Sequence, residues 1–179
     1  EYFTNNLHRI LADFRCIGAV RKSPLRRYQA HGHDSSHVDA INRLHANKDL
    51  LKKTNEWFTR LKIPYRLDLT DSIDPHEGST FYADLTDTRT KEVINIADVG
   101  FGISQVLPII AECCAQTRSL IAMEQPESQI HPALQTELGD LLIDSFNNRN
   151  NHFIVETHSE YLFHRIRRRV KEGKLDAKD

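Results

Sequence analysis

The 179 residues carry 24 Lys and Arg against 25 Asp and Glu, which leaves a formal net charge of −1. A balance this even neither favours nor excludes nucleic-acid binding, so only local basic runs bear on that question. No apolar run approaches the ~20 residues that a membrane-spanning helix needs, and no signal-peptide pattern opens the chain. We therefore expect no membrane partner. The length indicates one domain, or a large piece of one, that can build its own core.

The cysteines and the chain ends add two expectations. Cys16, Cys113 and Cys114 are too few and too oddly spaced for a disulfide framework or a zinc site, so we expect buried thiols in a reducing compartment. Because the one methionine is Met123 and the C-terminal tail is polar, we expect a fragment of a longer protein. A processed N-terminus is the alternative.

The first part of the chain mixes helices with extended segments. A helical pattern that includes Phe14 runs into an extended stretch around Cys16, and Pro24 then keeps a basic segment out of a helix. His31, His33 and His37 follow, but no Cys or helical pairing accompanies them, so we expect no metal site there. Two helices come next, one that begins at Ser35 or Ser36 and one that covers 48–61. An antiparallel meander follows, with strands over 65–69, 80–85 and 91–96.

From residue 98 onward the pattern alternates between helix and strand. Two short apolar strands are joined through an amphipathic helix, which predicts a right-handed βαβ unit and a parallel sheet. Pro108 lies within the first helix and should kink it. The predicted elements are helices over 102–116 and 133–146, a final helix carrying Tyr161 to Val170, and strands over 120–123 and 152–156.

Three features near the ends of these elements point to phosphate chemistry. Gly100 and Gly102 open a helix, where glycine lets a backbone pass close to a ligand and the terminal amides attract anions. An apolar strand ends at Glu124, an acid suited to reach Mg²⁺ directly or through water. A second strand ends at Thr157 and His158, where a histidine can touch a terminal phosphate or a water. Their order and spacing together are far more specific than any one feature.

With these residues in this order, the chain resembles the C-terminal lobe of an ABC-class ATPase head, in the branch that includes SMC/Rad50-like and OLD-like proteins. Within that branch it is most similar to bacterial AAA-family ATPases with a DUF3696-type domain. The resemblance implies an α/β, P-loop NTPase-like fold with parallel core strands, flanking helices and a small antiparallel meander. It divides the chain into 1–97, the helical and meander portion, and 98–179, the portion that carries the motifs.

The resemblance also assigns roles to single residues. The signature motif would begin at Gly100, Walker B would end at Glu124, the D-loop would begin at Ser128, and His158 would be the switch histidine. Catalytic roles then fall on Glu124, Gln125 and His158, and Glu124 also supports the metal. Nucleotide contacts fall on Gly100, Gly102, Ser104, Gln105 and Ser128.

Two departures from that family's pattern are clear. No G-x-x-x-x-G-K-[ST] motif occurs in the 179 residues, so the phosphate-binding loop must lie upstream or on another chain. Where ABC ATPases usually have a water-polarising glutamate, this chain has Gln125, whose amide can orient a water but cannot take its proton. Gln125 is either native, which we expect, or an engineered trap. Glu127 or His158 could take over water activation, or hydrolysis could be slow.

The resemblance implies ATP and Mg²⁺ as cofactors, two heads that close around them, and a cytoplasmic prokaryotic protein in DNA-related or anti-phage work. We expect ATPase activity of the full-length protein and not of this piece alone. Two other classes stay open. One is a regulatory or scaffolding module that binds a partner nuclease without turnover. The other binds DNA or RNA through Arg21–Arg27 and Arg165–Lys171, although a solvated helix face is the simpler interpretation of the second run.

Overall fold

The computed structural model describes residues 14–29, 37–74 and 78–178. They form the mixed α/β fold that the sequence predicts, with one parallel and one antiparallel sheet. Among the helices in these ranges, none is long and apolar enough to cross a membrane. In chain order the elements are β1 (Phe14–Ile17), β2 (Tyr28–Gln29), α1 (His37–Ala46), α2 (Lys48–Arg60), β3 (Tyr65–Asp74), β4 (Gly78–Asp87), β5 (Val93–Asn95), a 3₁₀ turn (Ile96–Asp98), α3 (Phe101–Ala115), β6 (Leu120–Glu124), α4 (Pro132–Arg149), β7 (His152–Glu156) and α5 (Glu160–Lys171).

These elements belong to two compact units. The first unit contains residues 14–20 and 115–178, and so holds β1, β6, β7, α4 and α5. The second unit spans Arg21–Cys114 and holds the antiparallel sheet with α1, α2 and α3. The boundary predicted between residues 97 and 98 follows a change in pattern, lies inside the second unit, and stays a prediction.

The sheet of the first unit is parallel, with the strand order β1-β6-β7. Ile121 and Met123 of the central strand are buried, as the apolar run predicts. β6 and β7 are parallel neighbours joined through α4, so the predicted βαβ connection is confirmed. Asn151 aligns the starts of the two strands, because its side chain accepts a hydrogen bond from the Ser119 amide (3.1 Å) and donates to the Gln116 carbonyl (3.0 Å).

Helix α4 has well-defined ends and a close neighbour in α5. Pro132 occupies its first turn, and Asn150 ends it in the left-handed conformation (φ 54°), with its N–H directed at the Phe146 carbonyl. A Cβ at Gly139 would lie 3.1 Å from Cγ and 3.2 Å from Cβ of Arg165. A side chain at Gly139 would therefore push α5 away.

The second unit is organised around β4. β3 pairs with the whole length of β4, while β2 and β5 share the other edge of β4. Phe81 of β4 is fully buried and stacks on Tyr28 of β2 and His45 of α1, with ring centroids 5.4 Å and 3.9 Å away. Burial raises the pKa of Tyr28 to about 12, although the Leu25 amide donates to its hydroxyl. The predicted meander is confirmed, and its strands β3 and β4 are longer than expected.

Helix α2 covers one face of this unit. Leu50, Thr54, Trp57 and Phe58 are buried, as their spacing predicts, and the Arg60 guanidinium lies 4.8 Å from the centre of the Trp57 ring. Asn55 links the helix to β3, since its side chain donates to the Leu67 carbonyl (2.9 Å) and accepts from the Leu67 amide (2.7 Å).

Helix α3 is buried over most of its length, including Val106, Ile110 and both Cys113 and Cys114. It continues through Pro108, and the kink expected there stays a prediction. Glu112 forms an ion pair with Arg43 of α1. Glu112 is only 6% exposed, so its partner Arg43 compensates a carboxylate that is largely withdrawn from water and links α3 to α1.

Two local predictions are wrong. Phe14 belongs to strand β1 and not to a helix, because the segment is recruited as the third strand beside β6. Cys16, expected to be buried, is exposed since β1 is an edge strand, whereas Cys113 and Cys114 are buried as expected. The helix caps predicted at Ser35 or Ser36, and the side chains of the three histidines, lie outside the described residues.

Candidate functional site

The carboxyl ends of β6 and β7 carry polar side chains next to each other. Glu124 is the last residue of β6 and is exposed, and its register partner on β7 is Glu156, also exposed. Because partners on parallel neighbours point to the same face of a sheet, the two carboxyl groups lie on one side. The edge is therefore acidic, and it lies at the carboxyl ends of the strands, where ligands of open α/β sheets bind.

The chain turns sharply directly after Glu124. Gln125 has a φ of 43°, and Gln129 a φ of 63°, both in the left-handed region that non-glycine residues rarely adopt. The Gln125 amide donates to the Glu156 carbonyl (2.8 Å), and the Gln125 carbonyl accepts from the Ser128 amide (2.9 Å). Such conformations occur at functional sites as well as at ordinary turns and helix ends, so the two values describe a tight turn that its hydrogen bonds hold in place.

Glu127 connects this turn to the segment after β7. One carboxylate oxygen accepts from the Thr157 hydroxyl and the other from the His158 amide, both at 2.7 Å. The Thr157 hydroxyl in turn accepts from the Ser159 amide (3.0 Å). The His158 side chain itself is exposed, next to the edge of the sheet.

Gln135 of α4 makes a second connection between the same two segments. Its amide nitrogen donates to the Ile130 carbonyl (2.8 Å), and its oxygen accepts from the Ser159 hydroxyl (2.7 Å). Ser159 also caps α5, because its hydroxyl accepts from the Leu162 amide (3.1 Å).

The glycine-rich segment lies in the second unit. α3 begins at Phe101, directly after Gly100, and a Cβ at Gly100 would meet no atom within 4 Å among the described residues. Packing among the described residues therefore gives no reason for a glycine there. Ser104 and Gln105 are 4% and 3% exposed.

Gln105 is engaged within its own unit. Arg21 donates to the Gln105 carbonyl (3.0 Å), and the Gln105 side chain donates to the Arg21 carbonyl (3.5 Å). Arg21 is itself buried, and Arg27 donates to the Tyr82 hydroxyl (2.8 Å). The basic segment after residue 20 is thus partly used inside the fold.

The basic run on α5 is largely paired with acids. Arg165 and Arg169 both bind the carboxylate of Asp140, and their side chains are 15% exposed. Burial alone would raise the pKa of Asp140, but the hydrogen bonds from Arg169 and Arg165 outweigh it and hold the pKa at about 2. Hydrogen bonds from Arg168 and Arg169 also lower the pKa of Glu172 to about 2. These pairings favour a structural role for much of the run.

The predicted site residues fall into two groups. Glu124, Gln125, Ser128 and His158 lie in the first unit, around the ends of β6 and β7, and the group Gly100, Gly102, Ser104 and Gln105 lies in the second. Sequence reasoning missed Glu156 and the contact between Glu127 and Thr157. The signal for Glu156 was present, because both five-residue strands end in glutamate.

The donor set at the sheet edge fits a hydrated Mg²⁺. Among the residues that the structure describes, no cluster of three or more His, Cys, Asp or Glu could hold a metal ion by itself. Mg²⁺ in nucleotide sites needs no such cage, since one or two carboxylates, phosphate oxygens and waters complete its shell. Exposed Glu124 offers a suitable carboxylate.

A comparison with models of protein families identifies the family to which this chain belongs. A family model described as "AAA ATPase domain" matches residues 31–163, and the chain belongs to this family. No curated protein matches the chain at comparable significance.

Similar solved structures include heads of SMC proteins. An SMC head bound to the C-terminal winged-helix domain of ScpA has a TM-score of 0.54 at 14% identity, over 70% of this chain and 39% of that chain. The Pyrococcus furiosus SMC head with an extended coiled coil has a TM-score of 0.53 at 13% identity, over 73% and 33%. This chain therefore spans less than half of these two relatives.

A third structure is covered more fully. It was reported under the subject of ATP-driven dimerization and DNA-stimulated activation of SMC ATPases, with a TM-score of 0.53 at 15% identity, over 70% of this chain and 77% of that chain. At these identities the likeness shows the fold alone, which this chain shares with part of the SMC head domain.

Proposed function

We propose that this chain forms one part of an ABC-type ATP-binding head that closes against a second head around ATP and Mg²⁺. The observation that supports the proposal is the edge at the carboxyl ends of β6 and β7, which carries Glu124, Gln125 and, two residues beyond β7, His158, in a chain with the fold of an SMC head. Membership of the AAA ATPase domain family supports the same class of ligand.

Each residue of this edge has a role suited to its chemistry. Glu124 would hold Mg²⁺, directly or through a water, and the metal would offset the negative charge of the phosphates. His158, exposed after β7, would contact the terminal phosphate or the attacking water. Gln125 would orient that water through its amide, and Ser128 would approach the nucleotide from the turn.

The glycine-rich segment would serve the nucleotide held by the other head. The backbone around Gly100 and Gly102, at the start of α3, would approach the terminal phosphate, where helix amides favour an anion. Ser104 and Gln105 are buried, so we propose that they act mainly by supporting this backbone. A similar structure reported for ATP-driven dimerization of SMC ATPases supports a two-headed arrangement.

The proposals about partner proteins and biological context rest only on similarity to other proteins. One similar SMC head binds a domain of ScpA, and by analogy this head would bind a partner effector protein. Closer kinship with OLD-like and DUF3696-type proteins, and work on DNA or in anti-phage defence, follow from the resemblance and stay predictions.

A second candidate function is a non-hydrolysing regulatory or scaffolding module. Gln125 favours it, because an amide cannot accept the proton of the attacking water. In that case ATP would hold two heads together without rapid turnover, and binding of a partner would be the output. Nucleic-acid binding through Arg165–Lys171 is disfavoured by the Asp140 pairings.

The test uses the full-length protein that contains this chain. We expect it to bind ATP in the presence of Mg²⁺ and to release phosphate. We expect Glu124→Gln to raise the Mg²⁺ concentration that half-maximal activity requires and to slow phosphate release. Equilibrium binding of a fluorescent ATP analogue and a phosphate-release assay measure the two steps separately. Binding without release would favour the scaffolding module, whereas no binding by the wild-type protein would contradict both candidates.

A further inference from the structure

The turn after β6 and the segment after β7 are joined by a set of side-chain hydrogen bonds that the proposed chemistry does not use. We call this set the β6–β7 clasp and define it as Glu127, Gln135, Thr157, the amide of His158, and Ser159. Glu127 receives two hydrogen bonds of 2.7 Å, and Gln135 bridges Ile130 and Ser159 at 2.8 Å and 2.7 Å. Both connections lie within the first unit.

The clasp determines where the backbone of His158 lies. β7 ends at Glu156 and α5 begins at Glu160, so residues 157–159 have no ladder or helix of their own to hold them. Glu127 supplies an acceptor to the amide of His158, and the charge of a carboxylate makes such hydrogen bonds stronger than neutral ones. Without Glu127, the backbone amide of this exposed histidine would lose its hydrogen bond to the turn that carries Gln125.

The contacts also separate two roles for Glu127. A water-activating base needs an oxygen directed at the water in the bound complex. Both oxygens of Glu127 are instead directed at Thr157 and the His158 amide. The geometry therefore fits a residue that positions other groups better than a base.

We infer that Glu127 is a positioning residue that makes the turn after β6 and the segment holding His158 move as one body. The inference rests on the proposed function, because His158 is the group that it places. A displacement of the turn, such as contact with a second head would produce, would then reach His158 through the carboxylate. Thr157 completes the link and Gln135 reinforces it from α4.

The first experiment measures the clasp without nucleotide. In the full-length protein, we expect Glu127→Ala to speed hydrogen exchange of the His158 amide roughly tenfold to a hundredfold, as loss of a charge-assisted hydrogen bond implies. Thr157→Val should give a smaller increase, and Thr157→Ser, which keeps the hydroxyl, should restore wild-type exchange. Glu160→Gln is the matched control, since it removes a nearby exposed carboxylate outside the clasp.

The second experiment measures the consequence for turnover. We expect Glu127→Ala to lower kcat for phosphate release about tenfold or more while KM for ATP changes little, because the residue places His158 and does not hold the nucleotide. Glu127→Gln should lie between wild type and Glu127→Ala, since its amide oxygen still accepts from the His158 amide.

The outcomes distinguish this inference from the proposed function. Unchanged exchange of the His158 amide in Glu127→Ala would overturn the clasp, whatever the activity. Faster exchange with unchanged kcat would overturn the positioning role. If the wild-type protein bound no ATP, the proposed function would fail and the positioning role with it, while the exchange data would still decide whether the clasp exists.

Discussion

Gln125 combines an unusual side chain with an unusual backbone. Its φ of 43° turns the chain directly after Glu124, and its backbone N–H donates a hydrogen bond to the Glu156 carbonyl (2.8 Å). The side chain is therefore presented from a fixed point beside β7. A carboxylate at this point would be well placed to accept a proton from a water, which an amide cannot do.

We expect Gln125→Glu to speed phosphate release by the full-length protein, by up to roughly 10²–10⁴-fold, the usual contribution of a general base. Single-turnover phosphate release measures the chemical step. Gln129→Glu is the matched control, because Gln129 lies in the same turn with a similar φ of 63° and should give no gain. Equal rates for wild type and Gln125→Glu would show that another group already serves as the base.

Single residues were predictable where their role is local. Apolar periodicity predicts that Glu124 ends a strand and that Trp57 and Phe58 lie on the buried face of a helix. The structure confirms both predictions. The partner of Glu127 was not predictable, because Thr157 is 30 residues further along the chain. Exposure of Cys16 likewise depends on a strand pairing that local sequence does not encode.

The contact between α4 and α5 shows how two elements share charge. The Asp140 carboxylate on α4 forms ion pairs with both Arg165 and Arg169 of α5. Glu137 adds a longer contact to Arg165, at 3.3 Å. The sequence shows only a basic run on the last helix. Its partners become visible once α4 and α5 pack side by side, with Gly139 allowing the close approach.

We expect Asp140→Asn to lower the free energy of unfolding at neutral pH by about 1–3 kcal/mol, because two partly buried guanidinium groups lose a charged partner. Since the folded pKa of Asp140, about 2, lies below its ordinary value, its stabilising effect is present above pH ~4 and is lost as the pH falls towards 2. Denaturant unfolding of wild type and variant across this range measures the difference.

The control for that experiment is Glu137→Gln, which removes the longer contact on the same helix and should cost less than Asp140→Asn. Glu172 titrates in the same pH window and shares Arg169 with Asp140, so the comparison is made in a Glu172→Gln background, where the difference between the two proteins isolates Asp140. A difference that persists undiminished at pH 2 would contradict the assignment.

The end of α4 offers a second prediction. Asn150 adopts a φ of 54°, a conformation that costs an alanine roughly 1–2 kcal/mol and a glycine almost nothing. We expect Asn150→Ala to lower the free energy of unfolding by about 1 kcal/mol and Asn150→Gly to be nearly neutral. Thermal unfolding of the pair is sufficient, and equal losses would show that side-chain contacts matter more than the backbone.

Elements with a clear period were predicted well, and those that depend on distant partners were not. The strand His152–Glu156 has the predicted bounds, and α2 and α4 differ from prediction by only a few residues at their ends. β1 and β2 are short edge strands whose formation requires β6 and β4, so their own sequence gives little signal. Propensity is a weak guide wherever pairing decides the structure.

At the scale of the whole molecule, the two groups of candidate site residues belong to separate compact units. Under the proposed function, the two groups would contact nucleotides held by different heads. The sequence could indicate the motifs but not which compact unit holds each of them, because the first unit joins residues 14–20 to a segment that begins 95 positions later.

We expect Gly100→Ala to fold normally but to reduce ATP-dependent dimerisation of the full-length protein about tenfold or more. The added methyl group meets no described atom within 4 Å in the isolated chain, yet it would lie between the backbone and an approaching phosphate. Sedimentation with and without ATP measures dimerisation, and the melting temperature serves as the internal control. Undiminished dimerisation would show that this segment does not contact the nucleotide.

The buried position of Trp57 has a practical consequence for studying the two units. It is the one tryptophan in the 179 residues, and it lies in the second unit. Its fluorescence therefore reports the melting of Arg21–Cys114 alone, whereas far-ultraviolet circular dichroism also reports the helices of the first unit. Coincident curves would show that the units melt cooperatively, and separated curves would give each unit its own midpoint.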